Sequence, residues 1–311
     1  MTRSNQKLYL LTVAAVAVLV TVMPFLAPTA AVGQGGQPAV PAGQRVFYAS
    51  HSLMWDTPAP LGENVTAYSI KDHVLVGLER IGFSTTQQHW DQPDERNQAK
   101  QALLTGKVDA FIMSPMELPD VGIDNFVKLG LQNNPQMRFF VQNNWAAFNI
   151  DAQKWHSSGM ASMGQVKWDA TTAEQIPTLN AVSEKEYEKQ VTQINHDVGH
   201  PVIFIIPTSQ ANTTLRTKIV KNEFPGLDRQ SQLFVDTIGH PAAPLVTLNS
   251  YVHFATIYGR SPVGLPIPSV LKNANNPKWD ADFNKRMQEL AWDTVVHYPL
   301  SGVKAPAATK Q

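Results

Sequence analysis

Arg45-Val46-Phe47-Tyr48-Ala49-Ser50-His51-Ser52-Leu53 is an apolar run that ends abruptly in small polar residues. Such a run reads as a buried strand over residues 45–49 whose polar end leaves the sheet as a loop. Similar runs recur at residues 108–113, 137–142, 201–206 and, more briefly, 233–235. Residues 73–81 fit either a strand or a short helix. Helical patterns fall between them, over residues 94–105, 123–131, 183–195, 211–222, 244–258 and 279–297. The first ends before Gly106, and Ser183 with Glu186 forms a capping box at the third. Short apolar strands alternating with helices predict a three-layer α/β/α sandwich around a mostly parallel sheet.

Upstream of the first strand, Arg3 and Lys7 precede an almost wholly apolar stretch over residues 8–23. Thr29-Ala30-Ala31 then supplies the small residues a signal peptidase accepts. The expectation is a cleaved secretory signal over residues 1–31, although the apolar run is also nearly long enough for an uncleaved anchor. A flexible Gly-, Pro-, Ala- and Gln-rich linker follows over 32–44, then one α/β domain over 45–300 and a disordered tail over 301–311. Within the domain, residues 152–178 lack any period and read as an irregular insertion. The chain has no cysteine, which excludes disulfides, zinc–thiolate sites and a lipid-modified N-terminal cysteine. Export would place the protein in the periplasm or outside the cell, with no membrane contact after cleavage. Its 25 Lys and Arg balance 25 Asp and Glu without a basic block, which argues against nucleic acid as a partner. Nothing in the pattern indicates an oligomeric state.

A second segment carries chemistry. Leu233-Phe234-Val235-Asp236-Thr237-Ile238-Gly239-His240-Pro241 delivers an acid and a base on a late loop. Together with Ser52 they could supply a nucleophile, the base that takes its proton and the carboxylate that orients the base. In open α/β sheets, groups on loops at the carboxyl ends of strands meet even when far apart in sequence. The bland alternatives are a turn serine for Ser52 and a His-Pro turn for His240. His51 reads as a local hydrogen-bonding group and Trp55 as a candidate wall of a substrate cleft. His196-Asp197-Val198-Gly199-His200 spaces two histidines for one helix face, but it lacks the Glu of a His-Glu-x-x-His site. Its glycine and the following Pro201 mark a helix end, so no metal is expected there.

Ser50-His51-Ser52-Leu53 resembles the Gly-Asp-Ser-Leu block of the SGNH (GDSL-type) hydrolase superfamily. Asp236 and His240, followed by Pro241, resemble its Asp-x-x-His block with one residue more. Residues 257–265, Ile-Tyr-Gly-Arg-Ser-Pro-Val-Gly-Leu, are similar to the ending seen after that block in some bacterial members. The resemblance implies a flavodoxin-like fold and a serine ester hydrolase with Ser52, Asp236 and His240 as catalytic residues. It also implies an oxyanion hole from the N–H of Ser52, the N–H of Gly82 and an amide from Asn143, although the chain has no Gly-x-Asn-Asp block. Small acyl esters, for example acetyl groups on carbohydrate, would be the substrates, and no cofactor or metal is implied. The departures from the family's blocks leave a catalytically inactive binding protein of the same fold as the alternative.

Overall fold

Val46 and Tyr48 point to one face of β1 (Arg45–Ser50), Phe47 and Ala49 to the other, and all four are buried. A strand with water on neither side belongs in the middle of a covered parallel sheet. In the computed structural model, which describes residues 40–150 and 166–305, β1 is flanked by β2 (Val74–Arg80) and β3 (Ala110–Ser114). β4 (Arg138–Gln142) and β5 (Ile203–Ile206) complete a five-stranded, wholly parallel sheet in the order β2-β1-β3-β4-β5. This is the flavodoxin-like order, in which connections diverge between β1 and β3 and leave a crevice at their carboxyl ends.

Helices cover both faces. On one side, Val46, Ile112 and Phe140 pack with residues of α1 (Pro58–Ala67), α6 (Thr208–Val220), α7 (Ala243–Tyr258) and α9 (Ala281–His297). On the other, Phe47, Phe111 and Phe139 pack with residues of α3 (Gln98–Leu104), α4 (Val121–Asn133) and α5 (Gln175–Val198). Two short helices, α2 (Thr86–Trp90) and α8 (Ser269–Lys272), follow β2 and α7 in the chain. Every residue from Pro244 to Tyr258 in α7 is buried, as its lack of a polar stripe requires. The expected three-layer α/β/α architecture with a parallel sheet is therefore the observed one.

Local differences have physical reasons. Residues 73–81 are a strand, and Gly77 is needed there because a Cβ would lie 2.5 Å from the Phe47 ring on β1. Pro58 opens α1, since a proline at the first helical position has no N–H to lose. The helix expected from residue 94 starts later, where Asn97 accepts from the Lys100 N–H at 2.8 Å. Asp94 instead meets the Lys100 ammonium at 2.9 Å. Helix α2, missed in the sequence, is closed by a reciprocal cap between Thr85 and Gln88.

Ser183 caps nothing. α5 begins at Gln175, anchored by buried Ile176 and Asn180, and the Ser183 hydroxyl turns back to the Asn180 carbonyl at 3.0 Å. Residues 233–235 form no sheet strand but a 3-10 turn (Gln230–Leu233) and an isolated antiparallel bridge between Phe234 and Pro241. The packed chain also runs past residue 300, because Ser301 is buried and donates to the Val295 carbonyl at 2.7 Å. The expected signal, the linker up to residue 39, residues 152–165 of the insertion and residues 306–311 of the tail lie outside the described residues. Among the described residues, no helix is long and apolar enough to cross a membrane.

Candidate active site

Ser52 sits just beyond β1 at the switch point, in the crevice the strand order creates. Its Oγ lies 2.7 Å from His240 Nε2, and His240 Nδ1 lies 2.5 Å from Asp236 Oδ2. An ionised carboxylate can only accept, so the proton between Asp236 and the ring belongs to Nδ1. Nε2 is then the acceptor for the Ser52 hydroxyl. The three residues that sequence reasoning brought forward from opposite ends of the domain therefore meet in one hydrogen-bonded chain. The ring and the carboxylate stay partly open, with side-chain exposures of 26% and 36%.

The extra residue between Asp236 and His240 is absorbed by Gly239, whose φ of 101° only glycine adopts readily. This turn lets Asp236 Oδ1 accept the N–H of Gly239 at 2.9 Å and that of His240 at 3.1 Å. Burial raises the Asp236 carboxyl, but the bonds from the His240 ring and from these two N–H groups outweigh it. The net shift is below the ordinary carboxylate value.

Two tryptophans hold the turn from behind. The Trp145 indole N–H donates to the Gly239 carbonyl at 3.0 Å, and that of Trp168 to the Asp236 carbonyl at 3.2 Å. Trp168 stacks on Phe234 at 3.9 Å, and buried Arg216 lies 5.4 Å from the Trp168 ring centre. Sequence reasoning did not single out Trp145 or Trp168 as loop supports. A Trp directly after the polar end of β4 was the one signal that could have pointed to the first.

His51 is fully buried beside the nucleophile. Desolvation, reinforced by His89 and His240, pushes its ring down to about 3, so it stays neutral. Its Nδ1 faces the Leu53 N–H at 3.4 Å and its Nε2 faces the Ser114 hydroxyl at 3.1 Å. Ser114 in turn donates to Asn144 Oδ1 at 3.1 Å, and Gln142 donates to the same oxygen at 2.8 Å. His253, also pushed down to about 3 by burial, meets Gln142 Oε1 at 2.8 Å. The ends of β1, β3 and β4 are thus tied by one network of neutral polar groups under the crevice.

Other expected site residues are arranged differently. Asn143 is completely buried and its amide donates to Gln210 Oε1 at 2.7 Å, so it cannot face a substrate at Ser52. Asn143 lies just past β4 and is held by the start of α6, where its Oδ1 accepts from the Ser209 N–H at 3.1 Å and its carbonyl accepts from the Thr208 hydroxyl. The neighbouring Asn144 reaches the crevice floor instead, with its amide 3.1 Å from the Pro115 carbonyl and 3.3 Å from the Tyr187 hydroxyl. Gly82 is exposed on the loop after β2, and neither its N–H nor that of Ser52 takes a backbone partner among the described residues. Trp55 donates to the Ser50 carbonyl at 3.0 Å and has Arg80 5.9 Å above its ring. It is absent from the walls of the cavity that adjoins Leu53.

A second serine–histidine–carboxylate chain was not anticipated. Ser84 Oγ lies 2.8 Å from His89 Nε2, and His89 Nδ1 lies 2.6 Å from Glu79 Oε1. Ser84 is fully buried, so this chain has the bonding pattern of a nucleophile without access to one. It joins β2, its following loop and α2. At residues 196–200, Gly199 takes a φ of 86° and ends α5, and no group of three metal-ligating side chains occurs among the described residues.

No protein-family model and no curated protein matches the sequence. The fold is similar to that of a DUF4886 family protein from Bacteroides uniformis ATCC 8492, with a TM-score of 0.52 and 13% identity over 82% of this chain and 95% of that one. A candidate SGNH hydrolase from Slackia heliotrinireducens is similar at a TM-score of 0.43 and 14% identity, over 69% of this chain and 99% of that one. At such identities the first likeness is one of fold alone, and the second is too distant to bear on function.

Proposed function

We propose that the protein is a serine ester hydrolase of SGNH type that acts through an acyl-serine intermediate. The single observation that carries this reading is the continuous chain from Ser52 Oγ through His240 to Asp236, at 2.7 and 2.5 Å. A serine hydroxyl becomes nucleophilic when a neighbouring base takes its proton during attack. His240 Nε2 receives that proton as Ser52 Oγ bonds to the ester carbonyl carbon, and Asp236 stabilises the imidazolium. The developing oxyanion is met by the N–H groups of Ser52 and Gly82, which take no backbone partner among the described residues. His240 then returns the proton to the departing alcohol, and water hydrolyses the acyl-serine by the same path. We further propose that residues 1–31 direct export, so that the hydrolase works in the periplasm or outside the cell. Acetyl esters of carbohydrate are the first small acyl substrates to try.

One observation favours the inactive binding protein. The amide of Asn144 already has acceptors in Pro115 and Tyr187, so it is not free to meet an oxyanion. A missing donor of this kind costs about 3–4 kcal/mol of transition-state stabilisation, which slows an enzyme without abolishing it. Hydrolysis of p-nitrophenyl acetate by the wild type and by Ser52→Ala separates the two readings. A loss of about 10³-fold or more in kcat/KM supports the hydrolase, and equal background rates support the binding protein.

A further inference from the structure

We infer that the cavity next to Ser52 holds an unbranched acyl chain of about six to ten carbons. This rests on the ester-hydrolase reading and extends it from small acyl groups to a medium-length, uncharged acyl ester. The cavity has a volume of about 270 Å³; Ser52 and His240 do not line it, but Leu53, which follows the nucleophile, and Trp145, which donates to the Gly239 carbonyl of the His240 loop, both do. A methylene occupies roughly the volume of a water, about 30 Å³, so the space takes on the order of nine carbons. Its walls come from the loop after β3, from the segment after β4 and from the first half of α5. Met116, Leu118, Ala147, Ile150, Leu179 and Val182 make them mostly apolar. Leu179, Val182, Ser183 and Glu186 are spaced for one helix face, which turns toward the crevice instead of packing on the sheet.

The charge on the walls narrows the occupant. No Lys, Arg or His lines the cavity among the described residues, whereas Glu117 and Glu186 do. A fatty-acid anion would find no cation there, while the neutral chain of an ester needs none. An acetyl group would leave nearly all of the apolar wall in water, and Val182 is 38% exposed as it stands. Burying a methylene is worth about fourfold in affinity, so chain length should be read strongly.

The test has two arms on the full chain. The wild type is assayed with p-nitrophenyl acetate, butyrate, hexanoate and octanoate, and Ser52→Ala is titrated with methyl acetate and methyl octanoate by calorimetry. The inference predicts that kcat/KM rises at least tenfold from acetate to octanoate and that methyl octanoate binds at least tenfold more tightly than methyl acetate. Val182→Trp and Leu179→Trp, which fill the cavity from an accessible helix face, should each cut the long-to-short ratio at least fivefold. Turnover of all esters with a flat chain-length profile overturns the acyl-chain assignment and leaves the hydrolase standing. No turnover, with methyl octanoate binding that Val182→Trp removes, overturns the hydrolase and supports the assignment. A long-chain preference that both tryptophan variants leave intact also overturns the assignment.

Discussion

Lowering the pH from 7.5 to 5.0 should remove about 4 kcal/mol of folding stability through two buried histidines, partly offset by Asp120 and Glu184, whose carboxyls burial raises. His51 and His253 are each pushed from the ordinary value down to about 3 by burial. An unfolded chain protonates both rings as the pH falls through about 6.5, whereas the folded chain keeps them neutral until about pH 3. The unfolded state therefore binds more protons throughout that window, and stability falls as the pH falls. Each ring contributes about 1.4 kcal/mol per pH unit below 6.5, or about 2 kcal/mol at pH 5. His73, lowered in the same direction by burial, adds to the effect.

The environment of His253 explains why it resists protonation. Its Nε2 is taken by Gln142, its Nδ1 has no hydrogen-bond partner among the described residues, and Tyr48 stacks at 6.0 Å, so a second N–H would meet no acceptor there. Urea unfolding followed by tryptophan fluorescence at the two pH values measures the loss. His253→Gln keeps a donor for Gln142 and should lower the pH-dependent loss by about 2 kcal/mol relative to wild type. A wild-type loss under about 1 kcal/mol, or an identical loss in His253→Gln, would refute the reasoning.

Asp236→Asn should lower kcat/KM on a reactive ester by about 10⁴-fold while leaving the fold intact, because an amide no longer holds Nδ1 as the donor; steady-state kinetics with circular dichroism checks both halves. Gly239→Ala forces an alanine into φ 101° with its Cβ 3.2 Å from Trp168 and 3.3 Å from the Trp145 indole nitrogen. It should cost about 1–3 kcal/mol in urea unfolding and reduce turnover in parallel. Ser84→Ala removes a hydroxyl from the enclosed His89–Glu79 chain; it should cost about 1–3 kcal/mol of stability yet change kcat/KM less than threefold.

Periodicity made the sandwich legible because both faces of β1, β3, β4 and β5 are covered, so each reads as an unbroken apolar run. β2 stayed ambiguous for the opposite reason: it is an edge strand whose Val74, Leu75 and Val76 face water, and its pattern carries no burial signal. The start of α5 was misread since Ser183 and Glu186 match a cap in sequence, while buried Ile176 and Asn180 extend the helix upstream. For the site, Ser52 was found because it follows the apolar run of β1, and Asp236 and His240 because they share one late loop after an apolar run, although that run is no sheet strand. The step from Asn143 to Asn144 was not legible, since one residue in a strand end decides which side chain turns inward. The Ser84–His89–Glu79 chain and the indole supports at Trp145 and Trp168 depend on contacts between separate loops, which no local pattern announces.

The account turns on whether Ser52 is activated by His240. Treating the wild type with a fluorophosphonate at neutral pH and mapping the adduct by peptide mass spectrometry measures this directly. The predicted result is one adduct, on Ser52, that His240→Ala slows by at least about 10³-fold and Ser84→Ala leaves unchanged. No adduct at Ser52, or one that forms equally fast without the His240 ring, would contradict it.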